Sequence, residues 1–331
     1  MKRLIPKLLA MGFAALFLVS LMPAGVVDYQ RDAFTGKISD DTMDSLMNQM
    51  DADFNLTNEY QKIWEPNNIR GSTHAIAVTD DNEWMATAGG YLNDREVHIF
   101  RWVEGIHQYY PIWDAGDTII QGDVMDVDFM DCDNNGRLEV VAASADGHIY
   151  VFEQLGNASD PFDFFSLAHQ WELVWDSGLY IDRQVWSVEA YDIDHDSHAE
   201  IIAGAWDSKV YVFDYIDHSA YPYCLNEHWI EFQPVWDSGD IIKDRVNSVC
   251  VIDSDNDTAI EIVAGSQDNH VYLFEERPCL KHTYVLRWTS GDAIWAPVNS
   301  VTASQDLDDD HFGEIVASAY GQGVFVFDYN P

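Results

Sequence analysis

Four short segments of this chain carry oxygen-bearing side chains at alternating positions. They read Asp131-Cys132-Asp133-Asn134-Asn135-Gly136-Arg137-Leu138-Glu139, Asp192-Ile193-Asp194-His195-Asp196-Ser197-His198-Ala199-Glu200, Asp253-Ser254-Asp255-Asn256-Asp257-Thr258-Ala259-Ile260-Glu261 and Asp306-Leu307-Asp308-Asp309-Asp310-His311-Phe312-Gly313-Glu314. Positions 1, 3, 5 and 9 of each are Asp, Asp, Asn or Asp, and Glu. On a tightly curled loop such positions face inward, and carboxylates this close repel strongly unless a cation sits among them. Calcium accepts six to eight oxygens in forgiving geometry, one of them often a main-chain carbonyl. That carbonyl is expected from position 7, which is Arg137, His198, Ala259 or Phe312. Magnesium prefers a small octahedron with several waters and fits less well. No side-chain ligand position holds Cys or His, because His195, His198 and His311 fall between them, and this disfavours zinc and copper. One such loop would be ordinary turn chemistry. Four in register, each running straight into an apolar segment, argue for bound Ca2+. The counterpart in the first repeat, Val78-Thr79-Asp80-Asp81-Asn82-Glu83, lacks the spacing and is expected to hold no metal.

The elements that must position these loops recur with them. An aromatic-ended run closes at Phe100, Phe152, Phe213, Phe274 and Phe327, at intervals of 52, 61, 61 and 53 residues. Upstream lies a run of the type Ile262-Val263-Ala264-Gly265, and before it one of the type Val246-Asn247-Ser248-Val249. A fourth run ends in Trp113, Trp175, Trp236 or Trp288, followed by Asp-Ser-Gly or a close variant, Asp-Ala-Gly or Thr-Ser-Gly. Four short β-rich runs per repeat, with turn residues between them and no useful helix, match a propeller blade. The expected fold is therefore all-β, a five-bladed β-propeller of four-stranded antiparallel blades over residues 59–331. The last repeat stops before its Trp run, and Tyr60-Gln61-Lys62-Ile63-Trp64 is a Trp run without its predecessors. This N-terminal strand is expected to close the ring and remove an open edge.

Composition narrows the partners. The 331 residues hold 57 acidic against 17 basic side chains, a net charge of −40, so no basic surface exists to neutralise nucleic acid. Yet 47% of residues are hydrophobic, too many for an acidic disordered chain. Residues 1–27 begin Met1-Lys2-Arg3 and continue with an uncharged run over 8–27, which reads as a signal peptide or an uncleaved membrane anchor. Residues 28–58 are a polar linker with a possible short helix. Cys132, Cys224, Cys250 and Cys279 lack zinc-ligand spacing; Cys224 and Cys279 are the weak choice for a disulfide, with free thiols as the alternative. Asn55-Leu56-Thr57 and Asn157-Ala158-Ser159 are glycosylation triplets compatible with export.

The loops followed by Glu-Ile-Val-Ala-Gly resemble the FG-GAP and VCBS repeats of integrin α-subunit propellers and of exported microbial proteins. The resemblance spans about residues 60–331. It implies a propeller with calcium between the first and second strands of its blades, and a surface used for adhesion or ligand binding. The literal Phe-Gly and Gly-Ala-Pro signatures are missing, and position 6 is glycine only at Gly136. The end of the channel opposite the loops is expected to present His74, Tyr91, Trp186, Trp206, Trp295 and Tyr320, with Arg183 and Arg245 nearby. Such rings could stack on sugars or grip a peptide, or simply pack between blades. The four Trp-run tryptophans are expected to be structural. A glycosidase would need converging carboxylates, and only Asp123, Asp126 and Glu189 break the repeat pattern as acids. No other hydrolase or nucleotide motif occurs. The sequence is thus expected to encode a non-enzymatic Ca2+-binding propeller, extracellular or on the cell surface. Its ligand would be a protein or a carbohydrate. The alternatives are a five-bladed glycoside-active enzyme or a structural part of a surface assembly.

Overall fold

The computed structural model describes residues 72–329, apart from 91–94, 117, 156–169, 217–229, 278–279 and 305. The export segment, the linker, the strand expected at Tyr60–Trp64, both glycosylation triplets, Tyr91, Cys224 and Cys279 lie outside the described residues. Pro66–Pro331 is one compact unit, distinct from Met1–Glu65. Among the described residues no helix is long and apolar enough to cross a membrane.

The unit is built from five antiparallel sheets whose strands neighbour one another in chain order. Blade 1 holds β1 (Ser72–Val78), β2 (Trp84–Gly90), β3 (Val97–Val103) and β4 (Gln108–Asp114). Blade 2 holds β5 (Val124–Met130), β6 (Glu139–Ser144), β7 (Ile149–Gln154) and β8 (Trp171–Asp176). Blade 3 holds β9 (Val185–Tyr191), β10 (Glu200–Ala205), β11 (Val210–Tyr215) and β12 (Phe232–Asp237). Blade 4 holds β13 (Val246–Ile252), β14 (Glu261–Ser266), β15 (Val271–Glu276) and β16 (Tyr284–Thr289). Blade 5 contributes β17 (Val298–Ser304), β18 (Glu314–Ala319) and β19 (Gly323–Phe327), the three strands of its sheet among the described residues. The expected five-bladed, four-stranded β-propeller is the observed architecture.

The repeated residues have definite jobs. In blades 2 to 4 the second and third strands are buried on both faces, which is why they read as unbroken apolar runs. Each Ala-Gly in those runs answers a packing demand. A Cβ at Gly204 would lie 2.7 Å from the Val246 side chain, and one at Gly265 2.7 Å from Val298. The serine of each Ser-Gly turn accepts from the first N–H of the third strand, Ser177 from Ile149, Ser238 from Val210 and Ser290 from Val271. Asp146, Asp207 and Asp268 hold their turns by accepting from the hydroxyls of Tyr150, Tyr211 and Tyr272.

Successive blades are joined twice over. Apolar cores fill the four junctions from blade 1 to blade 5. Each Trp-run indole packs on the closing phenylalanine of the next blade: Trp113 on Phe152, Trp175 on Phe213, Trp236 on Phe274 and Trp288 on Phe327, with centroids 5.0–5.7 Å apart. Their expected structural role is thereby observed. Side chains at one first-strand position also reach across. Asp126 accepts from Val188 N–H, Ser187 from Val249 N–H and Ser248 from Val301 N–H. The outer faces of blades 1 and 5 differ from these junctions. Ile76 is 62% exposed where Val127, Val188, Val249 and Val301 are 3–5% exposed, and Val324 is 42% exposed where Val210 is fully buried.

Candidate metal centre

The acidic loops join the first to the second strand of blades 2 to 5, as the sequence order requires. Each has one backbone path. Positions 4 and 6 are left-handed in all four, with φ of 55° and 82° at Asn134 and Gly136, 62° and 78° at His195 and Ser197, 58° and 76° at Asn256 and Thr258, and 66° and 80° at Asp309 and His311. Only Gly136 adopts this without strain. Thr258, β-branched, is held there against its preference. The position-1 aspartate wires the curl: Asp131 accepts from the N–H groups of Asn135 and Gly136, and Asp192, Asp253 and Asp306 accept equivalently. The position-5 side chain accepts from the N–H of position 7, at Arg137, His198, Ala259 and Phe312.

The position-9 glutamates carry the chemistry. Glu139, Glu200, Glu261 and Glu314 are 0–2% exposed. In each, Oε2 accepts from the N–H of position 2, at 2.5 Å from Cys132, 2.9 Å from Ile193, 2.7 Å from Ser254 and 2.7 Å from Leu307. In each, Oε1 is buried without a hydrogen-bond partner. A buried carboxylate oxygen left bare costs heavily unless the group is protonated or meets a cation. Burial accordingly pushes Glu139 and Glu200 up to about 9 and Glu261 to about 7, with nearby aspartates adding to the rise. Ligand atoms of Asp253, Asp255, Asp257 and Glu261 all lie within 4.8 Å of one another, as do those of Asp306, Asp308, Asp310 and Glu314, and of Asp131, Asp133 and Glu139. In the third loop Asp194 groups in this way with Asp214 and His282. All-oxygen sets with a bare, buried oxygen fit a hard cation of calcium's size.

One recurring acidic position beside the loops escaped the sequence reading. The residue after each closing phenylalanine is acidic in the four loop-bearing blades: Glu153, Asp214, Glu275 and Asp328. Glu153 is fully buried and receives Asn135 Nδ2 and Arg137 Nη1 at 3.0 and 3.1 Å. Asp328 adds negative field at Asp308 and Glu314. The signal was available in the repeat alignment, because blade 1 has Arg101 there and Trp84 in place of the glutamate. The Arg101 guanidinium sits 5.1 Å over the Trp84 ring and 3.6 Å from Glu83, a built-in cation in the blade that lacks an acidic loop. In that blade Asp81 only caps the turn, accepting from Thr79 Oγ1 and Glu83 N–H.

The expected ligand face divides. Trp186 and Trp206 stack on each other at 4.2 Å and 17°, and the Arg245 guanidinium covers the Trp206 ring at 4.1 Å. Trp295 and Tyr320 stand free at 79% and 74% exposure, and His74 is exposed with its Nε2 3.0 Å from Ser72 Oγ. Of the acids weighed for catalysis, Asp126 and Glu189 are brought near each other, together with Asp128, while Asp123 pairs with Arg95 at 3.5 Å. Desolvation among protein atoms raises Asp126 and Asp128 to about 6 and Glu189 to about 8, although all three keep some solvent-facing surface. Asp126 Oδ2 is committed to Ser187 Oγ and Val188 N–H, and Asp128 Oδ2 to Ala190 N–H.

The family described as FG-GAP-like repeat has a model that matches residues 131–203, from the second blade's loop into the third blade. No curated protein matches the chain. Among solved structures, Saccharomyces cerevisiae Sqt1 is similar at a TM-score of 0.56 and 15% identity, over 79% of this chain and 60% of that one. The chain thus spans less than two thirds of that structure's length, and a likeness at this identity speaks for the fold alone. Fold and repeat together define a five-bladed β-propeller carrying FG-GAP-like repeat sequence.

Proposed function

We propose that this chain is a non-enzymatic, calcium-stabilised interaction module, exported and displayed outside the cell or at its surface. The observation that carries the reading is the bare, buried Oε1 repeated in Glu139, Glu200, Glu261 and Glu314. A divalent cation would satisfy it, neutralise the surrounding aspartates and relieve part of a net charge of −40. The folded loops would bind the ion and the unfolded chain hardly at all, so calcium stabilises by mass action. The exposed Trp295 and Tyr320 suit a protein or carbohydrate ligand. The non-enzymatic reading is supported by Asp126 and Asp128, whose oxygens are used to join blade 2 to blade 3.

Thermal unfolding in EDTA, in millimolar calcium and in equal magnesium tests the metal. A calcium-specific rise in Tm is expected, and equal curves in all three would sink the reading. Hydrolysis of a polysaccharide panel, lost in Asp126→Asn, would overturn the non-enzymatic part.

A further inference from the structure

Among the described residues, the third loop alone has a protein cation seated in it from a neighbouring blade. Lys281 lies in the connection between β15 and β16 of blade 4. Its Nζ is 2.7 Å from Asp194 Oδ2 and 3.1 Å from Asp196 Oδ2, the loop's positions 3 and 5. The Asp194 side chain is 4% exposed, whereas that of Lys281 is 52% exposed, so the ammonium enters from the solvent side. His282 follows, with Nε2 3.2 Å from Asp214 Oδ2 and 3.5 Å from Asp194 Oδ2. A second contact joins the same two blades, His195 Nε2 lying 3.0 Å from the Thr258 carbonyl oxygen of the fourth loop. The other basic residues near these centres sit differently. Arg137 pairs with Glu153 from within its own loop, and Arg287 pairs with Glu275 on a strand of its own blade.

One ammonium is an incomplete substitute for a divalent ion. It supplies a single charge and three donors, against five carboxylates at Asp192, Asp194, Asp196, Glu200 and Asp214. Glu200 Oε1 remains buried and bare with Lys281 in place. A cation able to reach all of these oxygens would serve them better, but it must take Asp194 and Asp196 from the lysine.

We infer that Lys281 is a tethered counter-ion that calcium must displace from the third loop, making this loop a calcium-operated latch between blades 3 and 4. The inference rests on the calcium reading above. Without calcium, Lys281 ties its connection to the blade-3 loop. With calcium bound, the ammonium is expelled to solvent and the connection around residues 280–283 is released. The third loop then fills at a higher calcium concentration than the fourth and fifth.

Calorimetric calcium titration of the full chain, of Lys281→Met and of Asp257→Asn tests this. In Lys281→Met the weakest calcium class should tighten by roughly tenfold or more, the worth of two charge-assisted bonds no longer competed for. Asp257→Asn should remove a fourth-loop site and leave that class in place. In EDTA, Lys281→Met should melt below the unsubstituted chain. Hydrogen exchange on the unsubstituted protein supplies a readout independent of any variant: calcium should speed exchange of the 280–283 amides. An isotherm unchanged by Lys281→Met, with the parent binding calcium normally, overturns the displacement alone. Exchange at 280–283 that slows with calcium overturns it too. A parent chain that binds no calcium removes the calcium reading and the latch with it.

Discussion

Raising the pH of the metal-free protein should destabilise it, and calcium should remove most of the effect. Glu139 and Glu200 are held at about 9 in the folded chain, against an ordinary value of 4.5, chiefly because burial penalises the charged carboxylate. Between those two pH values the folded state keeps protons that the unfolded state has lost. Stability therefore falls as pH rises through that window, by about 1.4 kcal/mol per pH unit for each group. From pH 5.5 to 7.5 the pair would account for roughly 5 kcal/mol, and loops that open to admit water should reduce this to about half. Glu261, held at about 7, adds to the lower part of the window. Glu189, held at about 8, and Asp126 and Asp128, at about 6, add a smaller fall of their own away from the loops; most of the remaining carboxylates are already ionised above pH 5.5, so their mutual repulsion changes little. The assay is urea unfolding in EDTA at half-unit steps of pH, repeated in calcium. With calcium the loop glutamates are charged and coordinated, so the downward slope should shrink to the part that Glu189, Asp126 and Asp128 contribute. A Glu139→Gln/Glu200→Gln double variant should make the EDTA series clearly shallower without needing metal. A level or rising EDTA series in the parent, or the same fall with calcium present, would refute both the burial of these groups and their pairing with a cation.

Two further outcomes test the scaffold by urea unfolding. Gly136→Ala has no steric neighbour for the new methyl, so its φ of 82° alone should cost about 1 kcal/mol, and a neutral result would deny the shared loop path. Ile76→Asp should change stability by less than about 0.5 kcal/mol, whereas Val188→Asp, at the equivalent buried position, should cost more than about 3 kcal/mol. Equal losses would mean that the blade 1 face is covered like the junctions.

Much of this protein is legible before any coordinates. The recurring short apolar runs, the turns that follow the Trp runs and the five closing phenylalanines determine strand order and blade count, because a blade is local in sequence. The acidic loops are equally local: Asp131, Asp133 and Glu139 meet across nine residues, so their spacing already states their geometry. The same locality exposed blade 1 as the exception, through Asp80-Asp81-Asn82-Glu83 where the others have the acidic spacing.

Contacts between blades were not legible, since they join residues about sixty positions apart with no motif to link them. Asp126 and Glu189 looked like candidate acids because they break the repeat, and only packing shows Asp126 accepting from the Val188 amide of the next blade. Trp186 and Trp206 looked like a ligand surface until stacking occupied one face of each ring, and Arg245 the other face of Trp206. The placing of Lys281 in a loop eighty-five residues upstream is of the same kind. A loop's own spacing determines which oxygens gather. Which cation from elsewhere in the chain reaches them depends on how blade 4 sits against blade 3, and that is decided by side-chain packing across the junction.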